Sequence, residues 1–227
     1  MNYTEYALIV AGGKGTRIGS AVPKQFLELN GLPVVMHTVR AFYRYSEKIT
    51  IILVLPEADL AVWQTLCEKH SFHKPLILEH GGKTRFQSVK NGLGKIDGDG
   101  LVAIHDGVRP LVSNDIIDTS FRLASVHRSA IAAVRLKESI RITDGSGTKA
   151  VDRSLFHLIQ TPQTFQVGAI KAAYQSAEDP GLTDDASVAE RAGIPVTLFD
   201  GSYENIKITT REDLLIAEAL LKNKQNV

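Results

Sequence analysis

A chain of 227 residues, 44% hydrophobic and 22% charged, can bury the core of one large domain. Its formal net charge of +1 offers no global basic field to nucleic acid or an anionic membrane, so any anion site must be built from local cations. A single cysteine, Cys67, excludes an internal disulfide and, in the helical stretch VWQTLCEKH, reads as a small buried residue in a reducing compartment.

The N-terminal MNYTEYALIV has no basic segment leading into a long apolar run, and no apolar run nears the ~18 residues that span a bilayer. The expectation is a cytoplasmic protein without a leader and without a membrane or nucleic-acid partner. In chain order, the spacing predicts a strand over 6–10, a helix over 33–45, a strand over 49–55 and a helix over 57–70. It continues with a strand over 75–79, a helix over 84–94, a strand over 101–106 and a helix over 114–127 capped by Asn114 or Asp115. A strand over 130–136 follows, then helices over 167–178 and 184–192, the second capped by Thr183 and stopped by Gly193. A strand over 194–199 and a helix over 210–222 complete the series.

The strands are continuously apolar rather than alternating, as strands covered on both faces are. Strand–helix alternation then predicts an α/β fold, a Rossmann-like, mainly parallel twisted sheet flanked by helices, in one domain over 1–227. Ligands of such sheets sit beyond the carboxyl ends of the strands, which brings the loops at 11–17, 80–88 and 105–110 to one mouth. Residues 137–165 break the rhythm: SIRIT alternates, DGSG turns and TKAVDR resumes, a hairpin signature. An arm over about 137–160 is expected to project from the sheet, and because a lone hairpin is marginal in water, to pack on a second subunit.

The glycine-rich VAGGKGTR (10–17) is neither of two familiar phosphate loops. G-x-G-x-x-G would need glycine at Ile18, and G-x-x-x-x-G-K-[ST] fails because Gly15 follows Lys14. The underlying physics still applies: glycines let backbone N–H groups converge on an anion, and Arg17 and Lys24 add a planar fork and a mobile point charge. A flexible turn with solvated cations is the bland alternative.

The wider pattern AGGKGTRIGSAVPKQF resembles the G-x-G-T-R and Pro-Lys signature of nucleotidylyltransferases, which move a nucleotide from an NTP to a phosphorylated acceptor. GGKTRFQSVKNGL (81–93), IHDGVRP (104–110), VDR (151–153), TPQTF (161–165), LTDDAS (182–187) and ENIKIT (204–209) follow in order. Together they resemble the 2-C-methyl-D-erythritol 4-phosphate cytidylyltransferase family over nearly the full chain. The resemblance implies that Ala11, Gly12, Gly13 and Gly15 wrap the CTP phosphates while Arg17, Lys24 and Lys207 act on the phosphates and the transition state. It implies that Gly82 and Ser88 hold cytosine and ribose and that Asp106 touches nucleotide, acceptor and Mg²⁺. Arg109, Ser139, Thr183 and Lys207 are implied at the polyol phosphate acceptor, with Arg153 reaching a partner's acceptor phosphate in a homodimer. Two positions depart from the family: Ser139 replaces a threonine, and Lys83 stands where an acid is common.

The implied chemistry is consistent with these residue types. A phosphate monoester has a second pKa near 6, so the nucleophile is already an anion and needs no strong base. The barrier is anion approaching anion, which cations and positioning lower. His105 accordingly reads as structural or orienting, Arg109 as a ligand or merely as the partner of Asp106, and Lys14 as a phosphate or solvent contact. Ribitol 5-phosphate as acceptor, a sugar 1-phosphate nucleotidylyltransferase and a non-catalytic nucleotide-binding module are the competing readings.

Overall fold

The computed structural model describes residues 3–12, 22–143, 145–175, 179 and 181–225. β1 (Glu5–Val10) sends Ala7 and Ile9 into one hydrophobic core and Leu8 and Val10 into a second, the period-two alternation of a strand covered on both faces. A ribbon of β2 (Glu28–Leu29) and β3 (Leu32–Pro33) follows, turning through Asn30 and Gly31 at φ 48° and 76°. The sequence reading missed this ribbon, although Asn-Gly is the pair that a turn with two positive φ angles favours.

α1 (Val34–Tyr45) leads to β4 (Thr50–Leu55), α2 (Leu60–Lys69), β5 (Ile77–His80), α3 (Arg85–Leu93), β6 (Leu101–Asp106) and α4 (Asn114–His127). Cys67 is half-buried rather than fully buried, packed at the edge of the first core, and burial followed by the Glu68 charge pushes its thiol pKa up. The cap of α4 is neither expected residue but Ser113, whose Oγ accepts from the Ile116 N–H at 3.3 Å.

β7 (Ser129–Arg135) precedes the expected hairpin, β8 (Ile140–Thr143) and β9 (Thr148–Val151), which pair antiparallel apart from the main sheet. The arm ends sooner than predicted. β10 (His157–Gln166) returns into the sheet, antiparallel to both β6 and β7. Its polar composition hides it: Gln160, Thr161, Gln163 and Thr164 are all buried, so no apolar run announces a strand. α5 (Val167–Ala173), α6 (Asp185–Arg191), β11 (Leu198–Asp200) and α7 (Arg211–Gln225) complete the chain. α6 is capped by Asp184 instead of Thr183, in a reciprocal capping box with Ser187.

The seven-stranded sheet has the order β11-β7-β10-β6-β1-β4-β5, with β6, β1, β4 and β5 mutually parallel. α1, α2 and α4 cover one face and α3, α5 and α6 the other. α7 closes a third cluster that includes Leu29, Val34, Val108 and Ile208. Among the described residues, no helix is long and apolar enough to cross a membrane.

The loops leaving β1 and β6 are pressed together. The Gly107 N–H donates to the Val10 carbonyl at 2.8 Å, and a Cβ on Gly107 would lie 2.6 Å from the Ala11 Cβ. Only glycine lets the segment after Asp106 run against the start of the glycine-rich loop. Gly107→Ala is therefore expected to cost about 1–3 kcal/mol of stability by overpacking, read as a lower urea midpoint; an unchanged midpoint would show that the two loops separate freely.

A candidate active site between two cavities

Two cavities open at the carboxyl ends of β1 and β6. The first, of about 250 Å³, is lined by Ala11, Gly12, Lys24, Gly82, Ser88, Asp106 and Lys207 among others. The second, of about 290 Å³, is lined by Asp106, Arg109, Thr183 and Lys207 together with the bulged part of β10. Asp106, Lys207 and Arg85 belong to both, so these three side chains form the boundary between the cavities.

Asp106 ends β6 with its carboxylate buried and surrounded by cations. Lys207 Nζ lies 3.0 Å and Arg109 Nε 3.1 Å from Oδ2, and Arg85 Nε lies 3.9 Å from Oδ1. Burial alone would raise its pKa; Lys207, Arg85 and Arg109 more than offset that and hold the carboxyl far below the usual carboxylate range. The Arg109 side chain is buried, and its Nη1 donates to the Asn205 carbonyl at 2.8 Å.

The backbone under this cluster is fixed by polar side chains of the core. The Asp106 N–H donates to Thr161 Oγ1 at 3.0 Å, that hydroxyl donates to His105 Nδ1 at 3.0 Å, and His105 Nε2–H donates to the Arg109 carbonyl at 3.2 Å. A carbonyl can only accept, so a proton sits on Nε2, and burial disfavours a second one on Nδ1. Asn205, fully buried, donates to the Thr161 carbonyl at 2.8 Å, and the Ile208 N–H donates to the Val108 carbonyl at 2.9 Å. Those two bonds set the backbone on either side of Lys207.

The other wall of the first cavity is the entry to α3. Thr84 caps it by accepting from the Gln87 N–H at 3.2 Å. The Gly82 N–H donates to Ser88 Oγ at 3.1 Å, and that hydroxyl donates to the Thr84 carbonyl at 2.9 Å. A Cβ on Gly82 would meet the Gln87 Cβ at 2.3 Å. Lys83, the departure from the family pattern, is exposed, and its backbone N–H donates to Gln87 Oε1 at 3.0 Å. Lys24 opens a 3₁₀ turn, Lys24–Phe26, held down by buried Phe26 and by Gln25, whose Nε2 donates to Asp59 Oδ2 at 2.8 Å.

The expected residues thus separate into three groups. Ala11, Gly12, Lys24, Gly82, Ser88, Asp106, Arg109, Thr183 and Lys207 converge on the two cavities. Ser139 and Arg153 do not: both are exposed on the arm and line neither cavity, and Arg153 Nη1 donates to the Lys137 carbonyl. Gly13, Lys14, Gly15 and Arg17 lie outside the described residues. Sequence reasoning missed Arg85, Thr161, Asn205 and Asp185. Arg85, Thr161, Asp185 and Asn205 all stand inside the quoted motifs, yet a motif does not say which of its polar residues fold inward.

Among the described residues, no three His, Cys, Asp or Glu side chains converge on a point, and Asp106 is the one carboxylate lining the first cavity. A single carboxylate of this kind fits the chemistry of Mg²⁺, an ion that keeps several waters and needs only one or two carboxylates.

Known proteins resemble this chain over nearly its full length. The profile of the family described as 2-C-methyl-D-erythritol 4-phosphate cytidylyltransferase matches residues 6–223. A protein of that name from Bacteroides fragilis is 50% identical over 215 residues, covering 95% of this chain and 98% of the relative. One from Geobacillus kaustophilus is 39% identical over 227 residues, covering 99% of each. The crystal structure of 4-diphosphocytidyl-2C-methyl-D-erythritol synthase from Anaerococcus prevotii superposes with a TM-score of 0.83 at 30% identity, covering 97% of this chain and 96% of that one.

His105 supplies a pH test of the site. Burial is the largest influence on its ring and pulls the pKa from the ordinary 6.5 down to about 4. As pH falls from 6.5 toward 4, the unfolded chain takes up a proton that the folded site refuses, so this contribution, full above 6.5, is progressively lost, to a limit of about 3 kcal/mol. His105→Gln lacks the titration. The stability gap between wild type and variant should therefore narrow between pH 7 and pH 4 in urea unfolding, and a constant gap would refute the buried neutral ring.

Proposed function

Because the chain belongs to the 2-C-methyl-D-erythritol 4-phosphate cytidylyltransferase family, we propose that it transfers CMP from CTP to 2-C-methyl-D-erythritol 4-phosphate. The products are pyrophosphate and 4-diphosphocytidyl-2-C-methyl-D-erythritol, an isoprenoid precursor. The observation that carries the reading is the junction itself: two cavities that share the Asp106–Lys207 pair, as a reaction joining two phosphate-bearing substrates requires. CTP takes the first cavity, with its phosphates toward the glycine-rich loop and Lys24 and its cytidine toward Gly82 and Ser88. The acceptor takes the second, against Arg109 and Thr183.

An oxygen of the acceptor's phosphate attacks the α-phosphorus; the new P–O bond forms as the bond to the β-phosphate breaks and pyrophosphate departs. The attacking oxygen is already anionic, so no side chain need remove a proton. His105 is no base in this scheme, because both its ring nitrogens are engaged within the core. Lys207, 41% exposed and held at Asp106 by a single contact, can turn to the α-phosphate, while Lys24 and Arg17 take the β- and γ-phosphates. Asp106 would hold Mg²⁺, whose charge offsets that of the phosphates when it is bound. Backbone N–H groups and those cations that are already in place before reaction stabilise developing charge without reorganisation.

The acceptor cavity is completed by a second copy. Ile142, Leu155, Phe156 and Leu158 of the arm and the start of β10 are exposed, Leu155 by 77%, and form the apolar surface that a partner would cover. In the resulting cytoplasmic homodimer, each arm delivers Ser139 and Arg153 to the other subunit's acceptor. The chain is then one nucleotidylyltransferase domain with a dimerisation arm.

Three measurements test this. In a pyrophosphate-release assay at saturating substrates, Lys24→Ala or Lys207→Ala is expected to lower kcat by about 10²–10³; near-normal turnover would remove the residue from its role. Offered 2-C-methyl-D-erythritol 4-phosphate and ribitol 5-phosphate side by side, the enzyme should prefer the first, and a strong preference for the second would reverse the assignment. Arg153→Ala and Lys207→Ala subunits, each inactive alone, should regain about a quarter of wild-type turnover when mixed and re-assembled, because half of the dimers then hold one intact site. No recovery in mixed dimers would mean that the arm does not cross.

A further inference from the structure

Of the three side chains that line both cavities, the scheme above leaves Arg85 without a task. Arg85 opens α3, and its guanidinium is clamped from behind. Nη1 donates to Asp185 Oδ1 at 2.8 Å and Nη2 to Oδ2 at 2.6 Å. Asp185, on α6, is fully buried, and its Oδ1 also accepts from the Tyr174 hydroxyl at 2.6 Å. Tyr174 in turn packs on Phe86, the residue next to Arg85, with ring centroids 4.7 Å apart. The clamp is a closed unit of α3, α6 and the residue after α5.

Stability alone is a weak account of such a pair. Desolvating a carboxylate and a guanidinium costs about what their attraction returns, and apolar residues of similar size are often as stable. What a bidentate fork does supply is orientation. It leaves the Nε edge facing Asp106 Oδ1 at 3.9 Å and keeps 31% of the side chain exposed where the cavities meet. Lys207 is the opposite kind of cation, a point charge on a flexible stem whose one ion-pair partner among the described residues is Asp106.

Resting on the reading that CTP and the acceptor fill these cavities, we propose that Arg85 is a further catalytic residue, a fixed cation that donates to the transferred phosphoryl group. Asp185 is its positioning residue, and Tyr174 supports Asp185. Lys207 follows the α-phosphate as it moves, whereas Arg85 stays where the acceptor oxygen and the α-phosphorus must meet. A donor that does not move on reaction costs no reorganisation at the transition state.

The test compares Arg85→Gln, Asp185→Asn and the double variant for kcat, KM and unfolding midpoint. Each single change strands a buried partner and lowers the midpoint; the double change removes both charges and should recover much of it. With Arg85 at the reacting phosphorus, kcat falls about 10²-fold or more in all three, with KM for CTP far less affected. The double variant then stays slow although it is stable. Arg85→Lys, which keeps the charge and loses the fork, should remain at least about tenfold slow. Wild-type turnover in the double variant or in Arg85→Lys would overturn the proposal and leave a purely structural pair, and a loss confined to KM would overturn it and leave a contact that only binds substrate. Wild-type protein that releases no pyrophosphate from CTP and the acceptor would instead overturn the reading of function, so the two failures are distinct.

Discussion

A carboxylate buried at the end of a central strand is the constraint around which this molecule is arranged. Asp106 could not remain charged there on its own, since removal from water favours the neutral acid. It remains charged because Lys207, Arg109 and Arg85 reach it from three separate parts of the chain. Arg85 is in turn tied to Asp185 and Arg109 to the Asn205 carbonyl, while Lys207 has its backbone anchored on either side. The charge of one side chain thus draws together the turn after β6, the segment before α7 and the start of α3.

The second consequence is a strand that is polar where it is most buried. β10 lies between β6 and β7, a place where apolar residues would pack at least as well, yet it presents Gln160, Thr161, Gln163 and Thr164. Thr164 Oγ1 donates to Ser120 Oγ on α4 at 2.9 Å, but the hydrogen bonds of the other three go to the site. Thr161 serves Asp106 and His105, Gln163 donates to Asp184 at 2.9 Å and accepts from the Ala186 N–H, and Gln160 accepts from Asn205. A polar group inside a core is tolerable when its partners are satisfied, and a satisfied network holds one geometry. The register shift between Ile159 and Gln163 is the local departure from regular pairing that turns these side chains toward the mouth.

Legibility in the sequence followed the same division. The strands of β1, β4, β6 and β7 were readable because unbroken apolar runs are what two-sided burial demands, and the helices between them because their apolar residues recur along one face. Of the residues lining the first cavity, Lys24 was readable because a cation spaced behind a glycine-rich turn has a direct physical meaning at an anion, whereas Gly82 and Ser88 were legible only through the resemblance. β10 was not readable, since a strand selected for hydrogen bonding has the composition of a loop. The helix caps were misplaced by one or two residues at Ser113 and by one at Asp184, where several competent side chains stand in a row and only backbone angles choose among them.

By itself, then, the sequence determined the mainly parallel α/β sheet, the mouth at its carboxyl ends and the hairpin, because hydrophobic periodicity and local turn chemistry are short-range properties; the class of chemistry was legible only through the resemblance of its motifs to a family. Only the tertiary structure decided which polar residues became partners. Arg85 and Asp185 are 100 positions apart and Arg109 and Asn205 are 96, yet each pair is within hydrogen-bonding distance. Contacts at that separation are set by how helices pack on the sheet, and nothing in the local pattern around either residue records them.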